Sequence, residues 1–371
     1  LRKLAPRFIV CAMDARNGGG LAELKIYRQV AESIPAAVVM EIVIPDETDA
    51  AAALAPIASS IAQARLKLDA VVISSAADLK SWQPGAKRPE VPTVEQICEA
   101  ARAAFPGVRL GGGMLSTFTE LNRKRPKTAL VDFVTHTTCA TVHAADDRSV
   151  METLETLPAI IASTRAMIGE TPYRIGPSAI AARDNPYGRG VADNDANGRV
   201  CLANRDPRQR GLFNAAWILG YLAACAYGGL EAAALGASTG PFGFIHRRGD
   251  RSSPYFDAID GPAVYPAFHV LASLAHGSGR TLIETRLSQV GRAAALAWRE
   301  NGQSVLWLAN LTAEPLSLRV AGLAGENRRF SVIDAAAFEQ ATRTLDALDV
   351  LARPFAGEAL TLDAYATALI D

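Results

Sequence analysis

The stretch VDFVTHTTCATVHAADD, residues 131–147, holds two of the chain's five histidines, a cysteine and two aspartates directly after an apolar run. An imidazole beside a carboxylate can take up and return a proton near neutral pH. His136 ends the apolar run, and His143 and Asp146 stand three apart just before the helix-like RSVMETLETL. Plainer roles compete. A histidine closing a strand can be a hydrogen-bonded core group, and Asp146 or Asp147 can cap the helix. One aspartate is assigned to the cap, which leaves the other for chemistry. Cys139 has a histidine nearby in sequence, but structural buried thiols are commoner than nucleophilic ones. A metal held by His136, His143 and an aspartate is conceivable. No HxH or HExxH spacing supports it, so the reading takes no metal and no cofactor.

These groups need elements to aim them. From Phe8 to about Phe244, short apolar runs alternate with Ala-rich segments whose apolar residues recur every three or four positions. The runs at 8–15, 36–44, 68–75, 108–115, 131–138, 173–180 and 230–238 read as strands, with a possible eighth at 241–245. Apolar strands alternating with helices imply a parallel sheet covered by helices. Eight such units make a (β/α)8 TIM barrel, with an open doubly wound sheet as the alternative. The DARNGGG turn is no GxGxxG fingerprint, and Gly111–Gly113 are read as close backbone packing rather than a phosphate cradle. After about residue 278 the texture changes. ENG between two apolar runs signals a hairpin, and later runs extend a small antiparallel β-sandwich. The expected division is a barrel domain over 1–278 and a sandwich over 279–371, joined by a helix at 264–277.

In such a barrel, polar residues at strand C-termini share one bowl. The first strand ends in Asp14 and Arg16; the second offers Glu41, then Asp46 and Glu47. The fourth is followed by Glu120, Asn122 and Arg123, and the sixth by Arg183 and Asn185. This mixed bowl suits hydroxyl-rich small molecules. His136, Glu120, His143 and Asp146 are the candidates for acid–base work. Asp14, Arg16, Glu41, Asn122, Arg123, Arg183 and Asn185 are the candidates for holding substrate. Glu120 has a plain reading too, as a first-turn glutamate at a helix N-terminus.

Lys+Arg and Asp+Glu balance at 38 each, so nothing in the bulk charge points to nucleic acid or an anionic membrane. Five scattered cysteines without a CxxC favour reduced thiols. LRKLAPRF leads straight into a strand-like run without a signal peptide, and no apolar run reaches a membrane span. The expected location is cytoplasmic, with a small-molecule partner; the oligomeric state is left open.

The order of a barrel, a YPAFHVL helix and a β-sandwich resembles the retaining-glycosidase superfamily, in which two carboxylates flank the scissile bond. VVISSAAD and YRIGPSAI depart from it, having no glutamate where the pair would stand. GGGMLSTFTELNRKRP, DFVTHTTCATVHAADDRSVMETLE, YRIGPSAIAARDNPYG and RDPRQRGLFNAAWILGY resemble the D-apionate lactonase family more closely. That resemblance implies hydrolysis of a sugar lactone, D-apionolactone to D-apionate, in bacterial apiose breakdown. It also implies a further N-terminal domain, and it assigns no catalytic residue. Lactone opening needs an activated water, an oxyanion stabiliser and a proton for the leaving ring oxygen. The residues offer His136 or Glu120 for the first, His143 with Asp146 as an acid/base pair, and Asn122 with Arg123 or Arg183 for the oxyanion or the hydroxyls. The alternatives are a glycosidase using displaced carboxylates such as Glu41 and Glu120, and a carbohydrate-binding relative without turnover.

Overall fold

The computed structural model describes residues 1–371 apart from 19, 47–48, 84, 88, 249–251, 324–327, 356 and 358. Glu47 therefore lies outside the described residues. In chain order the first part comprises β1 (Phe8–Asp14), α1 (Leu21–Ser33), β2 (Ala37–Ile44), α2 (Ala50–Ala64), β3 (Ala70–Ser75), α3 (Val94–Ala104) and β4 (Arg109–Thr117). It continues through α4 (Phe118–Arg123), β5 (Phe133–Thr137), α5 (Asp147–Glu152), α6 (Leu157–Ile168), β6 (Tyr173–Ser178), α7 (Leu212–Cys225) and β7 (Ala232–Leu235). The strands lie side by side in sequence order, all parallel.

The expected eighth strand at 241–245 is a 3-10 turn at Gly240–Phe242, with isolated bridges joining Ala237 to Gly243 and Ile245 to Val264. Pro241 supplies no ladder donor and glycines flank it, so the run cannot hold a strand. The result is a near-barrel of seven parallel strands among the described residues.

Alternation along each strand sorts side chains into two layers. Val10, Val39, Val72 and Phe133 fill the interior, while Cys11, Met13, Met40, Ile42 and Val71 pack outward with Leu24, Leu54 and Ile97 of the helices. The triple glycine serves this packing. A methyl group on Gly111 would lie 2.4 Å from the Phe133 ring, and one on Gly113, at φ +112, would lie 2.1 Å from the Thr135 carbonyl oxygen. At the N-terminal ends of the strands Arg109 and Arg174 both grip Glu231, each at 2.8 Å, over the Phe133 ring. Burial pushes the Glu231 carboxyl up, but the two guanidiniums outweigh it and bring it down to about 2. This group plugs the floor, so chemistry belongs at the other end.

Past the barrel come α8 (Pro254–Asp257) and α9 (Ala267–His276), the anticipated joining helix. Then follow β8 (Leu282–Ile283), β9 (Ala293–Glu300), β10 (Gln303–Asn310), β11 (Leu316–Arg319), β12 (Arg329–Ile333), α10 (Phe338–Arg343), α11 (Ala347–Val350), β13 (Arg353–Pro354), β14 (Ala359–Leu362) and β15 (Thr367–Ile370). One antiparallel sheet runs β13-β12-β15-β10-β9-β8, and β11 pairs with β14. Asn301 and Gly302 turn the β9–β10 hairpin with φ of +49 and +82, the pattern ENG predicted. The short helices α10 and α11 were not anticipated.

Helix α7 is apolar on nearly every face because it is covered twice, by the barrel and by the sheet. Trp298, Val305, Trp307 and Leu369 join Trp217, Leu219 and Val270 in one core. The indole of Trp307 donates to Ser273 Oγ at 2.9 Å. No helix among the described residues is long and apolar enough to cross a membrane.

Candidate active site

At the C-terminal ends of the strands, Glu41 shares the inward-facing side of β2 with Val39. It is 4 % exposed, yet its Oε2 accepts a hydrogen bond from Arg183 Nη2 at 2.6 Å. Arg183 comes from the loop after β6 and reaches across the mouth to make that pair. Among the described residues Glu41 Oε1 has no partner. Asp14, at the end of β1, holds Arg16 through both oxygens, at 2.9 and 2.6 Å, and accepts from its backbone N–H. The Arg16 hydrogen bond keeps the Asp14 carboxyl below the usual range. Asp14 foremost, then Asp184 and Asp46, hold the guanidinium firmly charged.

The rim is a strap over residues 183–190. Lys80 Nζ donates to the carbonyls of Asn185 and Gly188, at 2.9 and 3.1 Å, and the Ser81 N–H donates to that of Pro186 at 2.8 Å. Lys80 also stands 3.6 Å from Asp184 Oδ1, while Asp184 Oδ2 is buried without a hydrogen-bond partner among the described residues. A hydroxyl cluster forms at the end of β6. The Thr138 N–H donates to Ser178 Oγ at 2.9 Å, and Thr138 Oγ1 lies 3.0 Å from the Tyr221 hydroxyl. Burial pushes the Tyr221 hydroxyl pKa up, so it stays a donor.

The structure thus gathers Asp14, Arg16, Glu41 and Arg183 at one mouth and disperses the acid–base candidates. His136 is a correction. Alternation turns it outward, where it is fully buried against Phe118 and Tyr173. Its Nδ1 lies 2.9 Å from the Thr137 carbonyl, so Nδ1 carries the proton and Nε2 accepts from the Tyr173 hydroxyl at 2.6 Å. Burial lowers its pKa to about 4, and the ring is neutral and sealed from any substrate. Glu120 is a second correction. It is wholly inaccessible, with Oε1 at 2.9 Å from Arg123 and Oε2 at 3.5 Å from Lys124.

Nor do His143 and Asp146 form a pair. Asp146 caps α5 by accepting from the Ser149 N–H at 2.9 Å, and exposed His143 has no hydrogen-bonding partner among the described residues. Asp147 is not left free either, since Arg199 and Arg208 bind it at 2.8 and 3.0 Å. Asn122 is exposed on α4, and Arg123 reaches the Ser81 hydroxyl at 2.6 Å rather than the mouth. Asn185 spends both ends of its amide within its own loop, on Gly190 and Tyr187. Burial raises the Cys139 thiol, which disfavours a thiolate. Among the described residues no group of three or more His, Cys, Asp or Glu could hold a metal ion.

Lys80, Asp184 and Tyr221 escaped the sequence reading. Tyr221 alone left a trace, a hydroxyl in a helix whose one other polar side chain is Asn214. The roles of Lys80 and Asp184 depend on two loops meeting.

Two sequence models match most of the chain. One described as D-apionate lactonase, TIM barrel domain, matches residues 1–279. A second, described as D-apionate lactonase, C-terminal immunoglobulin-like domain, matches residues 291–370. The chain belongs to the D-apionate lactonase family. A protein of Brucella anthropi named D-apionate lactonase is 40% identical over 324 residues, 87% of this chain and 51% of that protein. The chain thus spans about half the length of this family relative. Among solved structures, a family 51 α-L-arabinofuranosidase from Bifidobacterium longum aligns with a TM-score of 0.58 at 13% identity, over 93% of this chain and 78% of that one. A GH30 endoxylanase from Clostridium papyrosolvens aligns at 0.53 and 10% identity, over 97% and 88%. These likenesses show a shared fold. In this lactonase-family barrel no carboxylate stands at the end of β7, and Glu120 past β4 is sealed away.

Proposed function

We propose that this chain hydrolyses a sugar lactone at the mouth lined by Glu41, Arg183, Asp14 and Arg16, and that the lactone is D-apionolactone, opened to D-apionate. The observation that carries this reading is the 40% identity to a D-apionate lactonase across 87% of the chain, barrel included. The mouth offers matching chemistry. Glu41 Oε1 takes a proton from water as the oxygen attacks the lactone carbonyl. Arg183, released from Glu41 Oε2 toward the substrate, holds the developing oxyanion. The proton on Glu41 then passes to the ring oxygen as the C–O bond breaks, leaving a carboxylic acid and a free hydroxyl. Asp14 with Arg16 supplies acceptors and donors for the substrate hydroxyls. The same-fold rival used Glu41 and Glu120 as a glycosidase pair, and the burial of Glu120 under Arg123 and Lys124 speaks against it.

The test is a panel of aldonolactones, D-apionolactone included, followed by acid release with and without chelator, alongside aryl glycosides. Acid release from the apionolactone is expected. Turnover of glycosides with none of any lactone, or binding of sugar acids with no turnover, would overturn the reading.

A further inference from the structure

We propose that Glu120 is a positioning residue for this site, acting through a polar relay that sets Arg183 across the mouth. The proposal rests on the lactone-opening reading for its effect on rate, and on geometry alone for the relay. Glu120 begins the relay from a fully buried position. Its two oxygens face Arg123 Nη1 at 2.9 Å and Lys124 Nζ at 3.5 Å. Both cations then reach into the segment after β3. Lys124 donates to the carbonyls of Asp78 and Lys80, and Arg123 donates to the Ser81 hydroxyl. The Trp82 ring lies 4.7 Å from Lys124 Nζ and fixes its approach. From that segment Lys80 and the Ser81 N–H hold three carbonyls of the 183–190 strap. The strap carries Arg183, whose guanidinium meets Glu41 at 2.6 Å.

The contact of Lys124 with Glu120 is a charge pair at 3.5 Å that leaves the buried Glu120 Oε2 without a hydrogen bond among the described residues; every other polar link is a charged or backbone donor on a carbonyl, carboxylate or hydroxyl, so displacement at one end is felt at the other. Other groups could stabilise the start of the relay. Asp78 Oδ1 is the rival counter-charge for Lys124, but it stands farther off, at 3.9 Å, and Asp78 Oδ2 is occupied by the Ser75 hydroxyl at 2.9 Å. Glu120 is thus the nearer carboxylate to Lys124 and the one bound to Arg123. Neutralising it leaves two cations without that partner, and they are free to leave the loop carbonyls.

Glu120→Gln keeps the shape and removes the charge. Amide exchange in peptides covering 80–82 and 183–190 is expected to quicken in this variant, without substrate present. With D-apionolactone, kcat is expected to fall by about tenfold or more while KM holds, since a displaced Arg183 is missed mainly in the transition state. The loss should not add to that of Arg183→Ala, so the double variant should match Arg183→Ala alone. Lys80→Met interrupts the relay downstream, at a partly exposed side chain, and should reproduce the exchange and the non-additivity even if Glu120→Gln folds poorly. Unchanged exchange in the strap, or losses that simply add, would overturn the relay. Quickened exchange in Glu120→Gln, beside a wild-type protein that opens no lactone, would leave the relay standing and remove the lactone reading instead.

Discussion

Glu41 and Arg183 are 142 residues apart in the chain and 2.6 Å apart across the mouth. A lone glutamate inside an apolar strand cannot announce its role, because its partner arrives from a different loop. If Glu41 activates water, Glu41→Gln should lower kcat by about 100-fold or more with little change in melting temperature, read by initial rates beside thermal unfolding. His136 leads to the opposite expectation. Its pKa is near 6.5 in an unfolded chain and about 4 when buried. Between those values the unfolded chain binds a proton that the folded protein refuses. Stability is therefore complete above about pH 6.5 and is lost as pH falls toward 4, on the order of 3 kcal/mol for this group. Buried His269, shifted downward as well, adds in the same direction. Urea midpoints at pH 4.5 and 7 should differ less in His136→Asn than in the wild type. The pH–rate profile should carry no inflection that His136→Asn removes. A histidine closing an apolar strand is legible as polar, and alternation sets it opposite Phe133; that Phe133 faces the barrel interior, and His136 therefore outward, is decided only when the strands close on one another.

Elements were read well where local signals agree. The strand-helix alternation, the joining helix and the Asn301-Gly302 hairpin all follow from period and turn chemistry. The supposed eighth strand failed because Gly240, Pro241 and Gly243 outweigh its apolar residues. Helices α10 and α11 went unseen because they are short and packed into a region of strand texture. Asp146 tests function against capping at this scale. Asp146→Ala should lower the melting temperature by roughly two degrees, Asp146→Asn should keep the cap, and both should retain wild-type kcat. A large rate loss in Asp146→Asn would restore the acid/base role.

Across the whole molecule, one core spans barrel and sheet. Trp307 is fully buried on β10, yet its hydrogen bond goes to α9 and its neighbours include α7. We propose that the boundary at residues 278 and 279 divides topology rather than stability, since this core crosses it. Trp307→Ala is expected to cost about 3–5 kcal/mol and to shift a single unfolding transition, detected alike by near-UV and far-UV circular dichroism. Two separated transitions, with only the later one moved, would show independently stable domains.

The layered architecture was legible in the residues alone, because hydrophobic period and turn residues are local properties that each segment carries with it. So was the family, because blocks such as YRIGPSAIAARDNPYG are long enough to be recognised in a row. Tertiary structure alone decided which polar groups meet. Alternation sent His136 outward, helix capping claimed Asp146, and two cations took Glu120, while Lys80 and Arg183 drew distant loops over Glu41. Those outcomes depend on distances between residues far apart in the chain, which only the folded chain sets.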